Sequence, residues 1–243
     1  MGAVSVRVAT SLLLWLLLAA YPALGMADAS QQPQSAAVQQ GATPVVAASR
    51  LSPPTKRANF NSEEVSSQAR ATANWIVDSG DNLGMPFMLV DKQRAQVLMF
   101  DANGQLSGVS PALLGLAVGD DSVPGIGERP LWSIRPEERT TPAGRFVASL
   151  GRNIKGKEIL WVDYESAISL HPVVTSNSKE RRAERLASPH THDKRISYGC
   201  INVPQEFFTR VVGETFKDTA GVVYVLPDIR PIHAVFTSYY EVK

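Results

Sequence analysis

Polar and apolar positions divide the chain into three stretches. Val8 to Ala20 is mostly apolar, with Leu12 to Leu18 at its centre, Arg7 before it, and Pro22, Ala23, Leu24 and Gly25 after it. A positive residue, an apolar run and a small-residue stop form the pattern of an export signal, cleaved near Gly25 or Ala27. The run is also long enough for an uncleaved anchor. Residues 1–27 are therefore expected to be a signal peptide or an N-terminal anchor. Ala, Gln, Ser, Pro and Val dominate from there to about Ala58, with few charges and no aromatics. This predicts a low-complexity linker over residues 28–58, acting as a flexible tether or a plain spacer.

Regular periodicity begins at Asn61. Val65, Ala69, Ala73 and Ile76 fall on one helical face, which predicts a helix from Asn61 to Ser79. Asn61 would cap it, with Glu64 as the capping-box partner, and Gly80 would end it. Residues 59–85 are thus expected to be an N-terminal helix packing on the domain that follows. From Pro86 the period changes. Phe87 to Val90, Gln96 to Phe100, Arg145 to Leu150, Ile159 to Tyr164, Ala167 to His171 and Gly221 to Leu226 are short, strand-like runs. Leu113 to Val118 is a further apolar run, weakened by Gly115. Gly119 to Pro130 is dense in Gly, Pro and Asp and reads as a loop. Asn177 to Asp193 reads as a charged surface excursion, and Pro204 to Val212 as a short helix with Pro at its start. The expected fold class is mainly β, a β-rich α+β domain over residues 86–230, with a C-terminal tail over residues 231–243.

The formal net charge is +1, which argues against a dedicated nucleic-acid binder. No cysteine stands at the end of the first apolar run, which excludes lipid attachment at one there. No second apolar segment reaches bilayer length.

The only cysteine of the 243 residues is Cys200. An exported chain normally uses cysteines in pairs, so a lone one is either an inert buried residue or a reactive thiol. Gly199 before it allows a sharp turn and a close backbone approach to a ligand. Catalysis needs the thiolate, and a free thiol titrates near 8.5. A base or a positive field must therefore stand beside it. The chain has four histidines: His171, His190, His192 and His233. His171, at the end of a predicted strand, is the best-anchored base. A metal site built from His190, His192, Asp193 and Cys200 is the competing chemistry.

His171, a long spacer, and then Ser197-Tyr198-Gly199-Cys200-Ile201-Asn202 resembles the signature of the L,D-transpeptidase catalytic domain, which remodels bacterial peptidoglycan. The strand pair from Val90-Asp91-Lys92 to Phe100, the Thr141-Pro142-Ala143-Gly144 turn and the closing Val223-Tyr224-Val225-Leu226 are similar too. The resemblance covers about residues 86–227. Two features depart from the family pattern. Tyr198 stands where the family often has His, and the spacer from Asn177 to Asp193 is longer than usual.

The resemblance implies an L,D-transpeptidase-like β-sandwich or sheet with a few short helices. It makes Cys200 the nucleophile and His171 the general base. The backbone N–H groups of Tyr198, Gly199 and Cys200 would form the oxyanion hole. The Pro172 carbonyl would orient the imidazole, with Ser197 as a second candidate. Asn202 would bind substrate peptide groups. Arg195 and Arg185 are the first choices for contacts with wall carboxylates, if the basic spacer is more than a solvated loop. No metal or organic cofactor is needed.

The implied partners are donor and acceptor stem peptides, and carbapenem-type inhibitors. The membrane enters only through an uncleaved signal, and the implied location is the periplasm or cell envelope. Trimming by water, attachment of a protein to the wall, and a wall-binding protein without turnover are the alternative functions.

Overall fold

The computed structural model describes residues 55–243. The expected signal and nearly all of the expected linker lie outside the described residues. The first helix, α1 (Ser67–Ser79), is shorter than its periodicity predicts. Asn61 is not its cap. It sits at φ 51°, and its amide donates to the Leu106 carbonyl at 2.8 Å. Ser66 does the capping, its hydroxyl accepting from the Ala69 N–H at 3.0 Å. Gly80 ends the helix in the left-handed region at φ 70°, its N–H donating to the Ile76 carbonyl.

Ten strands follow. They are β1 (Phe87–Asp91), β2 (Gln96–Phe100), β3 (Leu106–Pro111), β4 (Leu114–Gly115), β5 (Gly144–Arg152), β6 (Glu158–Asp163) and β7 (Ile168–Pro172), then β8 (Arg195–Ser197), β9 (Ile201–Val203) and β10 (Ala220–Val225). A short helix α2 (Arg182–Ala187) lies in the spacer. After β9 comes α3 (Gln205–Phe207), which runs into a π-helical stretch, Phe208–Gly213; α4 (Ile232–Val235) comes last. The fold is mainly β with short helices.

Eight strands form one sheet in the order β3-β2-β1-β10-β5-β6-β7-β9, while β4 and β8 make a small parallel pair. Leu113, just beyond β3, bridges Asn202 on β9. Its N–H donates at 2.8 Å, and its carbonyl accepts at 2.9 Å. The two ends of the sheet therefore meet, and it is nearly closed into a barrel.

The unbroken apolar runs of β1 and β2 have a simple cause. Side chains alternate across a strand, and here both faces are covered. Met88, Val90, Val97, Met99, Val223 and Val225 enter one core, together with Leu160, Leu170 and Phe208. Phe87, Leu89, Leu98, Phe100 and Tyr224 enter a second core under α1, against Trp75 and Ile76. Complete burial of each such side chain contributes about 1.5–3 kcal/mol. The segment expected as a tail packs on this second core. Phe236 stacks on Trp75 at 5.8 Å, and the Trp75 indole N–H donates to the Ser238 carbonyl at 3.1 Å.

Candidate active site

Cys200 sits in a tight turn between β8 and β9, and its neighbours determine the turn's shape. The Ser197 hydroxyl accepts from the Gly199 N–H at 3.1 Å and donates to the Cys200 carbonyl at 2.6 Å. Gly199 lies at φ +129°, a region that disfavours side chains. A Cβ there would stand 2.7 Å from both the Thr140 carbonyl oxygen and the Ile168 Cδ1. Only glycine fits, because the Thr140–Thr141 strand entry crosses directly over the turn. The Thr141 hydroxyl donates to the Gly199 carbonyl at 2.8 Å and accepts from the Gly115 N–H at 2.9 Å.

A buried ionic cluster holds that entry in place. The Lys92 ammonium, just past β1, donates to the carbonyls of Gly119 at 2.6 Å and Thr141 at 2.9 Å, and to Asp120 at 2.8 Å. Asp120 also accepts the N–H groups of Asp228, Ile229 and Arg230. Burial pushes its carboxyl up, but Lys92 and those three N–H groups outweigh burial and hold it down to about 2.

His171 stands near the end of β7. Its Nδ1 lies 2.8 Å from the Pro172 carbonyl oxygen. The imidazole and the thiol line one cavity of about 330 Å³. Burial of the ring favours its neutral form, yet Cys200 and the Pro172 carbonyl outweigh burial and raise its pKa above the ordinary value. Burial likewise pushes the thiol up, but His171 and Ser169 bring it below the ordinary thiol range. Each group thus eases ionisation of the other. Sequence reasoning missed Ser169, whose hydroxyl lies 3.6 Å from Cys200 Sγ. Its signal was present, since Ser169 and His171 are two apart in one strand and share a face.

Five expected residues are engaged elsewhere. Ser197 does not orient His171, because its hydroxyl closes the cysteine turn. The same bond occupies the Gly199 N–H and removes it from the oxyanion set. Asn202 is fully buried, with its Oδ1 accepting from Arg182 at 2.7 Å and its Nδ2 3.1 Å from His171 Nε2. Neither end is free for substrate. Arg195 pairs with Asp228 at 2.7 Å and donates to the Lys92 carbonyl, so it belongs to the ionic cluster. Arg185 donates to the carbonyls of Glu180 and Asp193, at 3.0 and 2.9 Å, and so pins the spacer to itself. Long donors make such local ties whenever carbonyls lie within reach, and residue type alone does not show it.

Cys200 also lines a second cavity of about 80 Å³, bordered by Tyr198 and Arg129. A third, of about 960 Å³, opens from His171 toward Trp161 and Ile154. Leu131 lines all three. Its segment is held by Glu138, which accepts from Arg129 and Arg135. These guanidinium groups, Arg129 first, hold the Glu138 carboxyl at about 2. The Tyr198 ring, which borders the two smaller cavities, lies under the Arg139 guanidinium, 4.0 Å from the ring centre.

His190 and His192 stack on one another at 5.6 Å, and His192 approaches Asp193 at 3.2 Å. Cys200 does not join them. No group of three or more His, Cys, Asp or Glu side chains is placed to share a metal among the described residues. Among the same residues, no helix is long and apolar enough to cross a membrane.

No family model matches the sequence, and no curated protein matches it. Solved structures similar in part are L,D-transpeptidases. A mutant of the Enterococcus faecium enzyme aligns at 17% identity and TM-score 0.34, over 58% of this chain and 50% of that one. The LD transpeptidase LdtMt1 in complex with imipenem aligns at 16% and 0.35, over 58% of each chain. The Mycobacterium smegmatis L,D-transpeptidase aligns at 13% and 0.32, over 58% of each. This chain thus spans little more than half the length of the structures it matches.

Proposed function

We propose that this protein is a cysteine acyltransferase of peptidoglycan stem peptides, an L,D-transpeptidase. One observation carries the reading: the Cys200 thiol and the His171 imidazole line one cavity, the ring held at Nδ1 by the Pro172 carbonyl. A pair poised in this way supplies a nucleophile and a proton carrier together.

The Cys200 thiolate attacks the carbonyl carbon of the diamino acid in a tetrapeptide stem. The N–H groups of Tyr198 and Cys200 are the candidate donors to the oxyanion. As the bond to the terminal D-alanine breaks, the His171 imidazolium gives its proton to the leaving amine, and a thioester remains. An amine of a second stem then attacks the thioester. His171 takes the amine proton, the C–S bond breaks, and a 3–3 crosslink forms. Water in place of the amine gives trimming by the same intermediate, and a protein amine gives attachment to the wall. Such a substrate lies outside the cytoplasm, which accords with the export pattern of residues 1–27.

The test is incubation with a disaccharide-tetrapeptide, read by mass spectrometry. Loss of D-alanine with dimer formation supports transpeptidation. Loss without dimer assigns trimming. Full turnover by a folded Cys200→Ala protein refutes the reading. A carbapenem is expected to add its mass to wild type and not to Cys200→Ala.

A further inference from the structure

Arg182 and Asn202 grip the imidazole in a way that fixes every hydrogen along the chain of contacts. Arginine carries only donors, and a carbonyl oxygen only accepts. Arg182 Nη1 lies 2.7 Å from Asn202 Oδ1, so the amide must point its oxygen at Arg182. Its NH2 then faces His171 Nε2 at 3.1 Å. An amide NH2 only donates, so Nε2 must carry its lone pair. On the other side of the ring, Nδ1 faces the Pro172 carbonyl at 2.8 Å and must carry the hydrogen.

We propose that Arg182 is a positioning residue: by fixing the orientation of the Asn202 amide, it holds His171 as the neutral Nδ1–H tautomer with a basic Nε2. In that form the Nε2 lone pair rests against the Asn202 amide, which must release it before Nε2 takes a proton from Cys200. The catalytic meaning rests on the acyl-transfer reading above; the tautomer is a property of the free protein.

Arg182 is well placed for the task. Its side chain is 13% exposed and paired with Glu180, and α2 carries it over the cavity. The spacer that looked like a surface excursion therefore brings a donor-only group to the ring's neighbour. Charged and titratable groups from several elements line the cavity that holds the ring. Cys200 and Tyr198 come from the turn, Arg182 from α2, and Glu180 from the turn before it. Lys157 and Glu158 line the larger cavity that also reaches the ring. Cys200 raises the imidazole's pKa, and the Arg182 charge lowers it.

Removing Arg182 acts in one direction. Asn202 becomes free to rotate and offer Oδ1 to a protonated Nε2. The imidazolium gains a hydrogen bond, and the thiolate gains a firmer partner. In Arg182→Met, ring 15N shifts should show more imidazolium at pH 6 to 7. Iodoacetamide alkylation of Cys200 at pH 6 should quicken by up to about tenfold, the change that one unit of pKa makes. Arg182→Gln, which disturbs packing less, should move both readings in the same direction.

In an Asn202→Leu background the Arg182→Met change should lose its effect. A shift of equal size there overturns the proposal, because the Arg182 charge would then act on the ring directly. An unchanged ring spectrum in folded Arg182→Met also overturns it. Tetrapeptide turnover by wild type is a separate readout. No turnover with the ring shift present sinks the functional reading and leaves the positioning role. Turnover without the ring shift does the converse.

Discussion

The Thr141 hydroxyl donates to the Gly199 carbonyl at 2.8 Å, across 58 residues of chain. Through that bond, the loop ahead of β5 shapes the turn that presents the cysteine. Thr141 is fully buried, and its oxygen also accepts the Gly115 N–H. Thr141→Val keeps the shape and removes both bonds. Two buried backbone groups lose partners, at about 1–3 kcal/mol each. Urea unfolding should show a destabilisation of about 2–6 kcal/mol for the two together, and Cys200 alkylation should slow as the turn loosens. Unchanged stability and reactivity would mean that the bond does not shape the site.

Gly199→Ala tests the crossing itself. The added methyl has no room between the Thr140 carbonyl and Ile168 at φ +129°. The turn must move, since strain at such a position costs about 1–3 kcal/mol. The expected outcome is a folded protein of lower melting temperature whose Cys200 no longer shows enhanced reactivity at neutral pH. Wild-type alkylation kinetics in this variant would contradict the geometry described here.

The thiol and imidazole should titrate as a pair. Cys200 is shifted down and His171 up, each by the other's presence. Alkylation of wild type should rise with pH through an inflection below the ordinary 8.5 of a free thiol. In His171→Ala the lowering partner is gone and burial remains, which moves the inflection up to or above the ordinary value. An inflection that stays low in His171→Ala would assign the effect to Ser169 and the turn.

Asp120 couples the ionic cluster to acid stability. Its folded pKa, about 2, lies below the ordinary carboxyl value of 3.8. The carboxylate's contribution is therefore complete above the unfolded value and is lost as pH falls from about 4 through about 2. Asp120→Asn leaves the wholly buried Lys92 ammonium with Asp228, at 3.4 Å, as its remaining carboxylate. The cost should therefore fall below the roughly 3–5 kcal/mol of a buried charge left with no partner. The variant should be less stable at pH 7, and its stability should fall less steeply below pH 4 than that of wild type. Equal acid sensitivity in the two proteins would place the titration elsewhere.

The apolar runs, the Gly80 stop and the pairing of one cysteine with one anchored histidine were legible because they depend on neighbours in the chain. Alternation, helix endings and turn chemistry are local, and the sequence by itself determined them. Closure of the sheet was not local. β10, the last strand, lies between β1 and β5, and Leu113 meets Asn202; both depend on contacts between distant segments. The site divides in the same way. Cys200 and His171 stood out by residue type and local sequence, and the family resemblance pointed to the Pro172 carbonyl. The tasks of Ser197, Asn202, Arg185 and Arg195 came out differently, because a polar side chain bonds to whatever the fold places within about 3 Å. Only tertiary structure decided that Asn202 faces an imidazole rather than a substrate, and that Arg182, from a stretch that reads as solvated surface, stands behind it.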